Sequence, residues 1–282
     1  MKRSIFIAAA LTLAAVLPAI PAQAASTRTF VSSAGKDSNP CTITEPCATF
    51  AVAYAATAAN GIIAALDPGK YGPLTIMGPV TINGYGWAAI TGPASGNAIT
   101  INANSSDKIA LIGLEIDGAN AANNGIQFNS GGTLSVRNSV IQNFENEGIT
   151  FAPTGTNATQ LLVSNTLVSD MSNNAIHIAP TGSASVAAVL SEIEVASSFN
   201  GILCTSGAVI NVMVRNSSII NNSEAGLSIS GAGTTIRLTR STITGNSTAW
   251  ANGPGVISSY GDNNIDGNGA NNGTPPNPLV YH

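Results

Sequence analysis

The sequence predicts an all-β fold, a parallel solenoid of about seven to eight coils with a short helix over its N-terminal end. Three observations carry this. A short strand signal recurs as AITIN (98–102), GIQFN (125–129), GITFA (148–152), AIHIA (175–179), GILCT (201–205) and GLSIS (226–230), its first aliphatics roughly 23 to 27 residues apart. A longer signal follows each: IALIGLEI (109–116), LSVRNSVI (134–141), LLVSNTLV (161–168), VLSEIEVA (189–196), VMVRNSSI (212–219) and IRLTRSTI (236–243). Both alternate with period two, as strands do and helices do not. Finally, the longer signal breaks its alternation once, at Gly113, Asn138, Asn165, Glu192, Asn216 and Arg240. Gly and Asn, which dominate there, best tolerate the left-handed conformation that bends one strand into the next.

Three short strands per near-constant period form stacked coils about 4.8 Å apart. A doubly wound α/β fold would need amphipathic helices between the strands, and none is present in the repeats. A β-sandwich would need hairpins rather than a fixed period.

In chain order, residues 1–24 (MKRSIFIAAALTLAAVLPAIPAQA) have the basic start, apolar run and small-x-small end of a secretory signal peptide cut near Ala24. The expected location is therefore secreted, periplasmic or otherwise extracytoplasmic. No later run is long and apolar enough to span a bilayer. Removal of residues 1–24 takes the formal net charge from −4 to about −6. That leaves no basic footprint for nucleic acid. Residues 25–60 form the N-terminal loop and cap. Cys41 and Cys47 flank a short loop and are expected to be bridged. Cys47 to Tyr54 reads as an amphipathic helix ending near Gly61, with Phe50 and Tyr54 on one face, plugging the first coil. Residues 61–268 are the solenoid, and 269–282, with TPPNPLVYH, a Pro-rich irregular tail.

The architecture resembles the right-handed parallel β-helix of the pectate-lyase-like superfamily over residues 61–268. Asn138, Asn165 and Asn216 resemble that family's asparagine ladder at the second turn, and Pro68-Gly69-Lys70-Tyr71 is similar to a pattern in the opening of many uncharacterised secreted bacterial members. In the sugar-active members, the resemblance implies, the first-strand sheet and its flanking loops form the substrate groove. The Asp-His and Arg-x-Pro-x-x-Arg patterns of the family's lyases are missing, as are the Asn-Thr-Asp, Asp-Asp, Gly-His-Gly and Arg-Ile-Lys signatures of polygalacturonases. The fold is thus expected without its familiar enzymes.

Alternation assigns directions. On the first strands the aliphatics, the phenylalanines and Cys204 point in, whereas Thr100, Gln127, Thr150, His177, Leu203 and Ser228 point out. Cys204 stacks as a buried hydrophobe between Ile178 and Ile229. Leu162, Val189 and Met213 form an outward apolar stripe on the second strands, to be covered by Leu279, Val280 and Tyr281 or used for self-association. Ser139, Thr166, Ser217 and Ser241 point in from the third strands and are expected to bond along a ladder.

The segment NNAIHIAPTG (173–182) repeats NEGITFAPTG (146–155) with His177 in the slot of Thr150. Glu145, Glu147 and Asp170 are the acids near that face, and register puts Glu147 beside Asn174, close to His177. A glycosidase needs two carboxyl groups roughly 5 to 9.5 Å apart. Glu115 and Glu194 are three rungs apart, about 14 Å. Glu192 and Glu194 are expected on a convex bend without a cleft. A Ser228–His177–Asp170 triad fails, since Ser228 is two rungs from His177, about 10 Å. Asp262 to Gly267 matches the first half of an EF-hand loop, but position twelve is Gly273, so no metal or other cofactor is expected. The expected function is an exported, non-catalytic carbohydrate-binding or cell-surface scaffold, with Gln127, Thr150 and His177 supplying hydrogen bonds to a polysaccharide or cell-surface glycan. The alternative is a carbohydrate-active enzyme, a lyase or hydrolase of unfamiliar type, with His177 as acid or base supported by Glu145, Glu147 or Asp170.

Overall fold

A computed structural model describes residues 25–275 and 277–280. The expected signal peptide, and Tyr281 of the tail, lie outside the described residues. The chain is a parallel β-solenoid. The first strands of eight coils, from Leu74–Ile76 through Glu147–Phe151 and Asn174–Ile178 to Thr248–Asn252, pair in sequence order into one eight-stranded parallel sheet. Second and third strands form a larger sheet that folds around a corner.

The residues that break the alternation make that corner. Gly113, Asn138, Asn165, Glu192, Asn216 and Arg240 all have φ between 46° and 63°. One left-handed residue turns the chain while leaving the next rung in register. Thr159–Met171 therefore pairs with Val186–Ala196 on both sides of the bend. Glu192 and Arg240 adopt the geometry without the tolerance of Gly or Asn, held by the rungs above and below.

The interior is the stack of inward side chains. Ile99, Ile126, Ile149, Ile176, Ile202 and Leu227 are fully buried. Burying such a side chain contributes about 1.5–3 kcal/mol. Phe128 and Phe151 stack at 4.3 Å between ring centroids. Cys204 lies in register between Ile178 and Ile229, and burial pushes its thiol up to about 12. The hydroxyl ladder forms: Leu114 N–H donates to Ser139, Ser139 N–H to Thr166, Ile193 N–H to Ser217, and Ser217 N–H to Ser241.

The corner asparagines form one ladder step, Asn165 Nδ2 donating to Asn138 Oδ1 at 3.1 Å. Asn138, Asn165 and Asn216 are exposed. The buried asparagine ladder lies at the next turn, before the first strands, where Asn222, Asn246 and Asn268 are at most 9 % exposed. Asn222 and Asn246 each donate both a backbone and a side-chain N–H to the next amide oxygen. In the same column Ser198, Met171 and Phe144 stand one, two and three coils before Asn222. The turn is thus filled by apolar bulk at one end and by amides at the other.

At the N-terminal end, Cys41 and Cys47 are disulfide-bonded, with Cα atoms 4.7 Å apart. The helix is shorter than expected. It spans Phe50–Ala55, with Thr49 capping the Val52 N–H. It does not run toward Gly61 because Thr57–Ala65 is recruited as a strand beside Ser26–Val31. Phe50 is fully buried and meets the Tyr71 ring at 5.2 Å, whereas Tyr54 is half-buried and its hydroxyl accepts the Met77 N–H. The Pro-Gly-x-Tyr motif has a local reason. A Cβ on Gly69 would lie 2.9 Å from the Tyr71 ring, and Tyr71 turns inward to donate to Asp67. The C-terminal stretch, expected to be irregular, contributes a two-residue strand, Asn277–Pro278, beside Val256–Ser259.

Candidate functional site on the first-strand face

Pairing between coils stacks Thr100, Gln127, Thr150, His177, Leu203 and Ser228 in one outward row. Three residues before each central member of this row runs a second column, Asn97, Asn124, Glu147, Asn174 and Asn200. It is bonded rung to rung. Asn124 Nδ2 donates to Asn97 Oδ1 at 3.0 Å, Glu147 N–H to Asn124 Oδ1 at 3.2 Å, Asn174 Nδ2 to Glu147 Oε1 at 2.9 Å, and Asn200 Nδ2 to Asn174 Oδ1 at 3.0 Å. Glu147 therefore fills one slot of an amide ladder with a carboxylate.

That carboxylate is 11 % exposed and has its partners around it. Oε1 accepts from Asn174 Nδ2 and from His177 Nδ1 at 2.7 Å, and Oε2 accepts from the Thr150 hydroxyl at 2.5 Å. Burial works to raise its pKa. The hydrogen bond and charge of His177, then Thr150 and Asn174, outweigh burial and hold it below the usual carboxylate range. The ionised Glu147 can only accept at His177 Nδ1, and the other ring nitrogen, Nε2, lies 2.7 Å from Thr205 Oγ1, a hydroxyl able to donate or to accept there. The result is a carboxylate–imidazole–hydroxyl chain across three successive coils.

Among the acids considered with His177, the fold brings in Glu147 alone. Glu145 and Asp170 are exposed on the preceding turns, and neither forms a hydrogen bond to the imidazole among the described residues. Thr150, expected to face a ligand, is only 9 % exposed, its hydroxyl proton committed to Glu147. Gln127 is half-buried within the amide row, accepting from Asn124 and donating to Asn129. His177 keeps a half-buried edge. Sequence reasoning missed Thr205, although register gives the signal: it lies one coil on from His177 and just beyond the strand end. Glu192 and Glu194 require a correction. Their corner is not convex but lines a shallow groove of about 510 Å³ with Asn138, Asn165 and Asn216. The apolar stripe is half-buried, and Val280 of the tail lines the same cavity as Val189 and Met213.

No family model matches the chain, and comparison with curated proteins finds no match. Among solved structures the chain is similar to pectate lyase Pel9A, with a TM-score of 0.66 at 16 % identity, covering 86 % of this chain and 71 % of that one. A rhamnogalacturonan lyase aligns with a TM-score of 0.35 at 10 % identity, over 77 % of this chain and 76 % of that one, too low to support an argument. The likeness to Pel9A shows the pectate-lyase-like parallel β-helix.

Proposed function

We propose that this protein is a non-catalytic β-helix that binds carbohydrate on its first-strand face and serves as an exported binding or cell-surface scaffold. The observation that carries the reading is that the polar groups of this face are pre-bonded to one another. Glu147 is ionised, buried and matched by three side-chain donors, so it is poorly placed to give up or take a proton. Among the described residues, the other acids of this face, Glu145 and Asp170, are exposed on the turns and form no hydrogen bond to this group, whereas glycoside hydrolysis requires a second carboxyl group across the bound sugar. What remains is a rigid row of amides, hydroxyls and an imidazole edge, suited to hydrogen bonds with sugar hydroxyls. The pectate lyase named above acts on a polysaccharide with this backbone fold, which supports carbohydrate as the ligand class.

A glycan array probed with the wild-type protein and with Gln127→Ala and His177→Ala tests the proposal. Binding to a defined set of glycans, weakened about tenfold or more by either substitution, is expected. Retention of no glycan by the wild type would remove carbohydrate from the reading.

One observation favours a second reading, a carbohydrate-active enzyme. The order Glu147–His177–Thr205 at 2.7 Å and 2.7 Å is that of a general-base relay. His177 Nε2 would take a proton from a bound hydroxyl while Glu147 stabilises the imidazolium. Turnover of a polysaccharide that is abolished in His177→Ala would establish it, and turnover that survives this change would place the chemistry elsewhere.

A further inference from the structure

The first complete coil turns its corner differently from the others. Strand Val80–Thr91 pairs with Lys108–Asp117 as far as Asn83↔Ile112 and resumes at Ala88↔Leu114. Four residues, Gly84, Tyr85, Gly86 and Trp87, thus stand opposite the single Gly113. The corners at Asn138, Asn165, Glu192, Asn216 and Arg240 each turn on one left-handed residue, so the three additional residues are not needed to turn the chain. Keeping them has a cost. Tyr85 is held at φ 55° and Gly86 at φ 84°, and a left-handed aromatic residue stores about 1–3 kcal/mol of strain. The loop is also fitted closely to the next coil. A Cβ on Gly84 would meet the Gly113 carbonyl oxygen at 2.4 Å, and a Cβ on Gly113 would meet the Gly86 nitrogen at 2.7 Å. Strain of this kind, at a site the architecture does not require, points to a use for what the loop displays.

It displays two aromatic rings. Tyr85 is 46 % and Trp87 44 % exposed, with ring centroids 5.7 Å apart and planes 32° from parallel. Only 5 % of the chain is aromatic, and its other tryptophan, Trp250, is 7 % exposed. Exposed Arg28, on the edge strand Ser26–Val31 with Thr57–Ala65 between it and the strand of Tyr85, donates from Nη2 to the Tyr85 hydroxyl at 3.3 Å. This fixes the phenol and brings a guanidinium to the rim of the pair.

We infer that Tyr85, Trp87 and Arg28 form a carbohydrate-stacking platform for the pyranose rings of a polysaccharide, separate from the first-strand face. The C–H face of a pyranose is apolar and weakly positive, and it complements the negative faces of tyrosine and indole. Arg28 adds donors for the hydroxyl or carboxylate substituents at the ring edge. The platform is open rather than enclosed, which suits internal units of a long chain. It shares its ligand class with the function proposed above but none of its residues, so the two stand or fall separately.

The test is retention of the full-length protein on immobilised neutral glycans (cellulose, xylan, glucomannan) and acidic ones (polygalacturonate, alginate), followed by titration of the retained class with its soluble oligosaccharide. Tryptophan fluorescence reads the titration. Saturable binding with a change in emission is expected. Trp87→Ala should abolish the emission change, Tyr85→Ala should weaken affinity at least tenfold, and His177→Ala should leave this fluorescence-detected binding within twofold. Arg28→Ala should weaken an acidic ligand more than a neutral one. Thermal melts matching wild type keep the comparison valid, since all three platform residues are exposed. Retention on none of the glycans overturns the inference. So does binding that Tyr85→Ala and Trp87→Ala leave within twofold. In that case loss of binding in His177→Ala would still uphold the first-strand face as the sugar site.

Discussion

Replacing Glu147 tests how the amide column holds the first-strand face. Glu147→Ala removes the common acceptor of Asn174 Nδ2, His177 Nδ1 and Thr150 Oγ1. Asn174 and Thr150 are at most 9 % exposed and cannot turn freely to water. A buried donor left without a partner costs about 1–3 kcal/mol. The three losses share one site and do not add fully, so the total should resemble that of breaking a buried charged pair, about 3–5 kcal/mol. Glu147→Asn is the informative control, because Asn124, Asn174 and Asn200 occupy the same slot in neighbouring coils. It can rebuild the amide ladder and strands mainly His177, whose side chain is 19 % exposed and can find water. Its expected cost is only about 1–2 kcal/mol. Urea denaturation measures both, provided circular dichroism and tryptophan fluorescence trace the same transition, since a solenoid can unfold in pieces. Glu147→Ala costing less than about 1 kcal/mol, or Glu147→Asn costing as much as Glu147→Ala, would refute the idea that Glu147 is a bonded rung of the ladder.

Two further outcomes follow from local geometry. The pKa of Glu147 is lowered on folding, so its carboxylate contributes stability above the ordinary carboxylate pKa and loses that contribution as pH falls through the lowered value. Denaturation midpoints should fall below about pH 5, less steeply in Glu147→Gln. Some slope should persist, because Asp67, where burial is outweighed by hydrogen bonds from Ser32, Tyr71 and Ser33, is lowered too; an unchanged profile in Glu147→Gln would contradict the assignment. At the corner, Glu192 is exposed at φ 56°, so Glu192→Asn should stabilise the protein by about 1 kcal/mol through relief of left-handed strain. Glu192→Gln, which removes the charge but keeps the strain, should not, and equal effects of the two would count against strain as the cause.

The likeness between residues 146–155 and 173–182 made His177 legible as an outward rung, and register placed Glu147 near it. Both inferences need only period-two alternation and a count of residues per coil. Thr205 was harder to see, because it stands past the end of its strand, where alternation no longer fixes direction. The insertion GYGW at the first corner is visible as two glycines around an aromatic, yet nothing in the residues says whether Tyr85 and Trp87 fold inward or stand in solvent.

The sequence by itself determined the parallel solenoid, its coil boundaries, the inward aliphatic stack and the six left-handed corner residues. These are short-range properties: side-chain alternation and backbone tolerance act within a few residues, and repetition then propagates them. The tertiary structure decided which turn buries its asparagines and which acid meets the imidazole. It also decided that the corner of Glu192 is a groove and that the expanded first corner displays its aromatic rings. Each of these depends on the direction of a side chain leaving a bend, which is set by the coils stacked above and below it and not by the local pattern of residues.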